Sequence, residues 1–96
     1  MFYIYVLESL KNDSLYIGWT TDLKKRLQEH NQGLNLSTKR HKPWKLIYYE
    51  ACLNKKDAAR REKWLKSTHG WRMFKARIRE YVHEKSKDLN RNSTTG

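Results

Sequence analysis

Two short runs near the start, FYIYVLES at 2–9 and SLYIGWT at 14–20, constrain this chain most. Both are rich in β-branched and aromatic residues, and the stretch LKNDS between them holds the turn formers Asn12, Asp13 and Ser14. They read as two strands of a hairpin. The period then changes. In TTDLKKRLQEHNQG, Thr21 or Asp22 is an N-cap candidate, Leu23 and Leu27 lie one turn apart, and Gly33 is a C-terminal stop. This predicts a helix over about 22–31.

The basic loop LNLSTKRHKPW follows, with the only proline, and KLIYYEACL reads as a third strand. Asn54 is placed to cap a helix running to about Ser67, with Asp57 near its positive end. STHG breaks that helix. In WRMFKARIREYV, Trp71, Phe74, Ile78 and Tyr81 fall at helical spacing, so a third helix packs one apolar stripe. The order is β-β-α-β-α-α, an α+β class with a small sheet and helices around it. We expect one domain over 1–83 and a polar, disordered tail over 84–96.

Lys and Arg number 21 against 10 Asp and Glu in 96 residues, a formal charge of +11. So basic a chain points to a polyanion, most often nucleic acid. No stretch is long or apolar enough to span a bilayer, and the first residues lack the features of a signal peptide. Cys52 is the only cysteine, which excludes an internal disulfide and suits a reducing cytoplasm. One cysteine and four scattered histidines do not suggest a structural zinc site. A monomer is expected.

Alternation puts Tyr3, Tyr5 and Leu7 on one face of the first strand, and Tyr16, Gly18 and Thr20 on one face of the second. With an even loop between the strands, Tyr16 shares the face of Tyr5, and Gly18 leaves a bare backbone patch that a ligand can approach. The plainer alternative is that the tyrosines pack the sheet and Gly18 admits a neighbouring helix. Arg26 and His30 are four apart and share one helix face. Glu62 follows Ala58 and precedes Leu65 at helical spacing, on the stripe that should face the sheet. A carboxylate there needs either a basic partner or a metal.

YIY at 3–5, YIG at 16–18, Arg26, His30 and Glu62, in that order, resemble the GIY-YIG nuclease family. LYIGWTTDLKKRLQEHNQG, KPWKLIYYE and AARREKWLK resemble its small stand-alone bacterial members. The resemblance covers roughly residues 2–80. It implies a three-stranded antiparallel sheet flanked by helices, and metal-assisted hydrolysis of phosphodiester bonds. It also implies that Tyr5 and Tyr16 are the motif tyrosines, Arg26 the motif arginine, His30 the histidine and Glu62 the metal ligand. The chain departs from the pattern twice. Tyr3 stands where the family name has glycine, and the asparagine many members carry after the glutamate has no match, Asn90 coming too late.

On this basis the expected activity is a DNA endonuclease, structure-selective or engaged in repair or recombination. The alternative is a binding module that keeps the scaffold and cleaves little or nothing. One Mg²⁺ or Mn²⁺ is expected on Glu62, weakly held without substrate. Arg26 would face the phosphate, either Tyr5 or His30 would serve as base, and Tyr16 would orient the water or lower the pKa of Tyr5. Lys39, Arg40, Lys42 and Lys45, with Arg60, Arg61, Lys63 and Lys66 around Glu62, are the expected phosphate contacts. DNA ranks ahead of RNA. No base-reading element is evident, so a shape feature or a protein partner would supply targeting.

Overall fold

The computed structural model describes residues 1–86. Strands β1 (Phe2–Ser9), β2 (Leu15–Thr20) and β3 (Trp44–Cys52) form one antiparallel sheet in the order β2-β1-β3. The first strand is therefore central, and both its faces are covered: Ile4, Tyr5, Val6 and Leu7 are all buried. The hairpin closes where the Ser9 amide donates to the Ser14 carbonyl at 2.8 Å, with Asp13 at φ 64° in the turn. The loop so closed is 10–13, an even number, and it sets the expected register: Tyr5 pairs with Gly18 and Leu7 with Tyr16. An irregularity between Val6 and Leu7 shifts the β1–β3 pairing.

Helix α1 (Leu23–Asn31) starts at Asp22, whose side chain accepts from the Lys25 amide. It ends ahead of Gly33 at φ 77°, where the Leu34 amide returns to the Glu29 carbonyl. Helix α2 (Lys55–Leu65) is capped by Asn54, as its sequence suggests. Helix α3 (Thr68–Arg77) begins earlier than the apolar spacing implies, because the Ser67 side chain caps it. Gly70 is required there: a Cβ would come 1.9 Å from the Trp64 carbonyl oxygen. After a break at Ile78 the chain is helical again over 79–86.

Two cores result. On one face Ile4, Val6 and Ile17 pack against Ala58, Leu65, Phe74 and Ile78 from α2, α3 and the residue after it. On the other, Tyr5, Leu7 and Trp44 pack with Leu23 and Leu27 of α1. Residues 84–86 of the expected tail continue the last helical segment, and Lys85 Nζ reaches Glu8 and Asp13 at 2.7 and 2.8 Å. The rest of that tail, with Asn90, lies outside the described residues. Among the described residues no helix is long and apolar enough to cross a membrane.

Candidate active site

An open cleft of about 450 Å³ is lined by Tyr5, Tyr16, Gly18, Trp19, Thr20, Thr21, Arg26 and Glu62. Its side chains come from both layers. Tyr5 (β1), Tyr16 (β2) and Arg26 (α1) lie on the α1 side of the sheet, whereas the helix bearing Glu62 belongs to the opposite core. Because β2 is an edge strand, the carboxylate of Glu62 reaches the cleft past it. Ala58 and Leu65, on the expected stripe, are fully buried, while Glu62 keeps 19% of its side chain exposed. Its partner is Lys66, Nζ to Oε1 2.7 Å, one turn on in the same helix. Glu62 thus has the basic partner that one alternative requires, and it also faces the cleft.

His30 does not line the cleft. It is fully buried beneath Tyr5, with Nε2 2.8 Å from the Tyr5 hydroxyl and Nδ1 2.8 Å from Thr38 Oγ1. The Thr38 hydroxyl donates to the Asn35 carbonyl. The consistent assignment is that His30 Nδ1–H donates to Thr38 and Nε2 accepts the Tyr5 proton. The Tyr16 ring stands edge-on to His30 at 5.1 Å. Burial, and secondarily the Arg26 guanidinium, pushes the His30 imidazole below its ordinary value. Burial, and secondarily the neighbouring Tyr16 phenol, pushes Tyr5 up to about 12. This corrects the expectation that Tyr16 lowers the pKa of Tyr5: two phenolates so close repel.

The patch above Gly18 is not bare either. A Cβ there would lie 2.6 Å from the Tyr5 hydroxyl oxygen and 2.7 Å from Cζ. The missing side chain makes room for the Tyr5 ring rather than for a ligand or a helix. Arg26 donates through Nε to Glu29 Oε1 at 3.1 Å, which aims the guanidinium. Thr38 and Glu29 are the supporting residues that the sequence did not disclose. Glu29 falls within LYIGWTTDLKKRLQEHNQG with no role of its own there, and Thr38 meets His30 only through the fold of the 32–38 loop.

The expected phosphate contacts separate into two groups. Arg61 forms a two-pronged pair with Glu50, Nε to Oε1 and Nη2 to Oε2 both at 2.9 Å, and lies over the Trp64 ring. Arg60 pairs with Asp57 and Lys66 with Glu62. These three answer carboxylates of their own chain, whereas a phosphate would have to compete with those partners. Lys39, Arg40, Lys42, Lys45 and Lys63 are exposed and take part in no ion pair among the described residues. Lys39 and Arg40 lie in the 3-10 turn Lys39–His41 and Lys42 and Lys45 follow it, the turn being fastened to the hairpin end by Ser9 and Lys11.

Residues 1–75 match the model of the GIY-YIG catalytic domain. A UPF0213 protein of Clostridium perfringens is 43% identical over 67 residues, 69% of this chain and 71% of its own length. A UPF0213 protein of Streptococcus agalactiae is 46% identical over 61 residues, 62% of this chain and 68% of its own. These relatives' names state no activity. No solved structure matches. The ordered motif residues, the three-stranded sheet and the match over most of its length agree: the chain belongs to the GIY-YIG catalytic domain family, a family of nucleases.

Proposed function

We propose that the protein is a divalent-metal-dependent endonuclease that hydrolyses phosphodiester bonds in DNA, selecting its substrate by shape in repair or recombination. The observation that carries this reading is the convergence of Tyr5, Tyr16, Arg26 and Glu62, from four separate elements, on one cleft. Among the described residues Glu62 is the only carboxylate lining it. One carboxylate, with waters and substrate phosphate, is a common way to hold Mg²⁺, so the donor set fits one Mg²⁺ or Mn²⁺ bound firmly only with nucleic acid. Such an ion, when bound, neutralises charge on the phosphate and the leaving oxygen.

In this reading Arg26 holds the phosphate as its negative charge grows. Tyr5 takes a proton from the attacking water while passing its own to His30 Nε2. His30 itself, being fully buried, acts only through Tyr5. Tyr16 walls the cleft and orients the water. The exposed lysines and Arg40 contact phosphates without reading bases. The single thiol suits the cytoplasm, and a protein partner supplies targeting to a monomeric chain.

A second reading, a nucleic-acid-binding module with little cleavage, is favoured by one observation. Tyr5 at about 12 is a poor base unless a cation or the substrate complex lowers it. One assay separates the two. The protein is incubated with duplex, flapped and branched DNA and matched RNA, with Mg²⁺ or Mn²⁺ and with a chelator, alongside Glu62→Gln. We expect cation-dependent cleavage that Glu62→Gln abolishes at a nearly unchanged melting temperature. Equal cleavage by the variant overturns the role of Glu62. Binding of every substrate with cleavage of none establishes the second reading.

A further inference from the structure

Helix α1 covers only part of its face of the sheet. It packs over Leu7, Leu46 and Trp44 and leaves the other end, with Tyr3, Tyr49 and Ala51, uncovered. The Tyr49 side chain is 54% exposed, large for an aromatic residue in the body of a strand. Tyr3 and Tyr49 stand edge to face with ring centroids 6.1 Å apart. Both adjoin the cleft. Tyr3 pairs with cleft-lining Thr20, and Tyr49 pairs with Tyr5 across the β1–β3 ladder, where directly opposed side chains share a face. One of the two rings thus occupies the place where the family name has glycine.

We propose that Tyr3 and Tyr49 form a ledge that stacks an unpaired nucleobase next to the scissile phosphate, which makes the preferred substrate single-stranded or flapped at the cut. The inference rests on the nuclease reading above. The occupant follows from the surroundings. The ledge continues directly into a cleft that holds a guanidinium, on a chain of formal charge +11, and a polyanion is the partner this charge draws. An exposed phenol backed by a half-buried one, beside a phosphate site, is a platform on which any base stacks, because every base has a π-face. In an intact duplex both faces of each base are taken by its neighbours, so only a splayed or unpaired nucleotide reaches the ledge.

The test is binding in the absence of divalent cation, so that cleavage plays no part. Wild type, Tyr3→Ala, Tyr49→Ala and Tyr49→Phe are titrated at one salt concentration with single-stranded DNA and single-stranded RNA carrying 2-aminopurine, and with a blunt DNA duplex of the same length. Wild type should quench the 2-aminopurine emission of a single strand. Tyr49→Ala should lose that quenching and bind single strands roughly tenfold more weakly, with duplex affinity unchanged, and Tyr49→Phe should retain both. Comparable losses on DNA and RNA mean that the base alone is read; a loss on one strand type assigns the ledge to that polymer. Alanine variants that bind single strands like wild type, or that weaken duplex and single strand equally, overturn the ledge and leave the cleft untouched. If wild type binds none of the three, the nuclease reading falls with it.

Discussion

The Tyr5 hydroxyl lies 2.8 Å from His30 Nε2, and both side chains are almost wholly shielded from water. Tyr5→Phe removes the only partner of a buried ring nitrogen. We expect a loss of about 1–3 kcal/mol from that unsatisfied group, read by urea unfolding. A variant as stable as wild type would mean that the bond contributes nothing to the fold.

The same pair gives the protein an acid limb. The folded-state pKa of His30 is depressed below 6.5, so its contribution is complete above that value and is lost as pH falls through the lower, folded one. Tyr5 acts at the other end: raised to about 12 from 10.0, it contributes below pH 10.0 and loses that contribution as pH rises toward 12. A ¹H–¹⁵N titration of the imidazoles should show the His30 ring changing protonation below 6.5. A midpoint at or above 6.5 would contradict the buried, neutral ring.

Gly18→Ala should be costly although the residue lies in a strand, where alanine is ordinarily tolerated. The new methyl group meets the Tyr5 ring, which His30 holds in place. Overpacking of this kind costs about 1–3 kcal/mol. Thermal melting should show the loss. Combining Gly18→Ala with Tyr5→Phe should give less than the sum of the two, because the ring is then free to move.

Lys66→Met should tighten cation binding. The ammonium now 2.7 Å from Glu62 Oε1 occupies one side of the carboxylate that the proposed metal would use. Lys66 is half exposed and methionine keeps its apolar stem, so stability should change little. Mn²⁺ affinity followed by electron paramagnetic resonance should rise in Lys66→Met and vanish in Glu62→Gln.

The two basic groups should behave differently. Arg40→Ala with Lys42→Ala removes two exposed charges and should flatten the dependence of log affinity on log salt by roughly 1.8, equally for unrelated sequences. Arg61→Ala should instead lower the melting temperature, because it leaves half-buried Glu50 with the Tyr48 hydroxyl alone, and the Glu50 carboxyl is held below its usual value chiefly by the hydrogen bonds from Arg61. A steep loss of affinity in a stable Arg61→Ala protein would restore that residue to the phosphate-binding set.

Strand alternation and an even hairpin loop were enough to bring Tyr5, Tyr16 and Gly18 to one face, because the side-chain period of a strand is two and the turn fixes register. Caps at Asp22 and Asn54 were equally legible, since capping is local chemistry. What was not legible depends on depth and on contacts far apart in sequence. Nothing in the spacing of Arg26 and His30 says that one rims the cleft and the other lies beneath it. Nor could the run of Arg60, Arg61, Lys63 and Lys66 reveal which cations would find Asp57, Glu50 or Glu62. The early start of α3 was hidden because Gly70 looks like a breaker until Trp64 is seen against it.

Glu62 joins the cleft from a helix whose anchors, Ala58 and Leu65, are sunk in the opposite core. The aromatic half of the site comes from the hairpin and first helix, whereas the acidic half depends on the second layer packed across the edge of the sheet. The cleft is therefore complete only where both layers of the domain are in place.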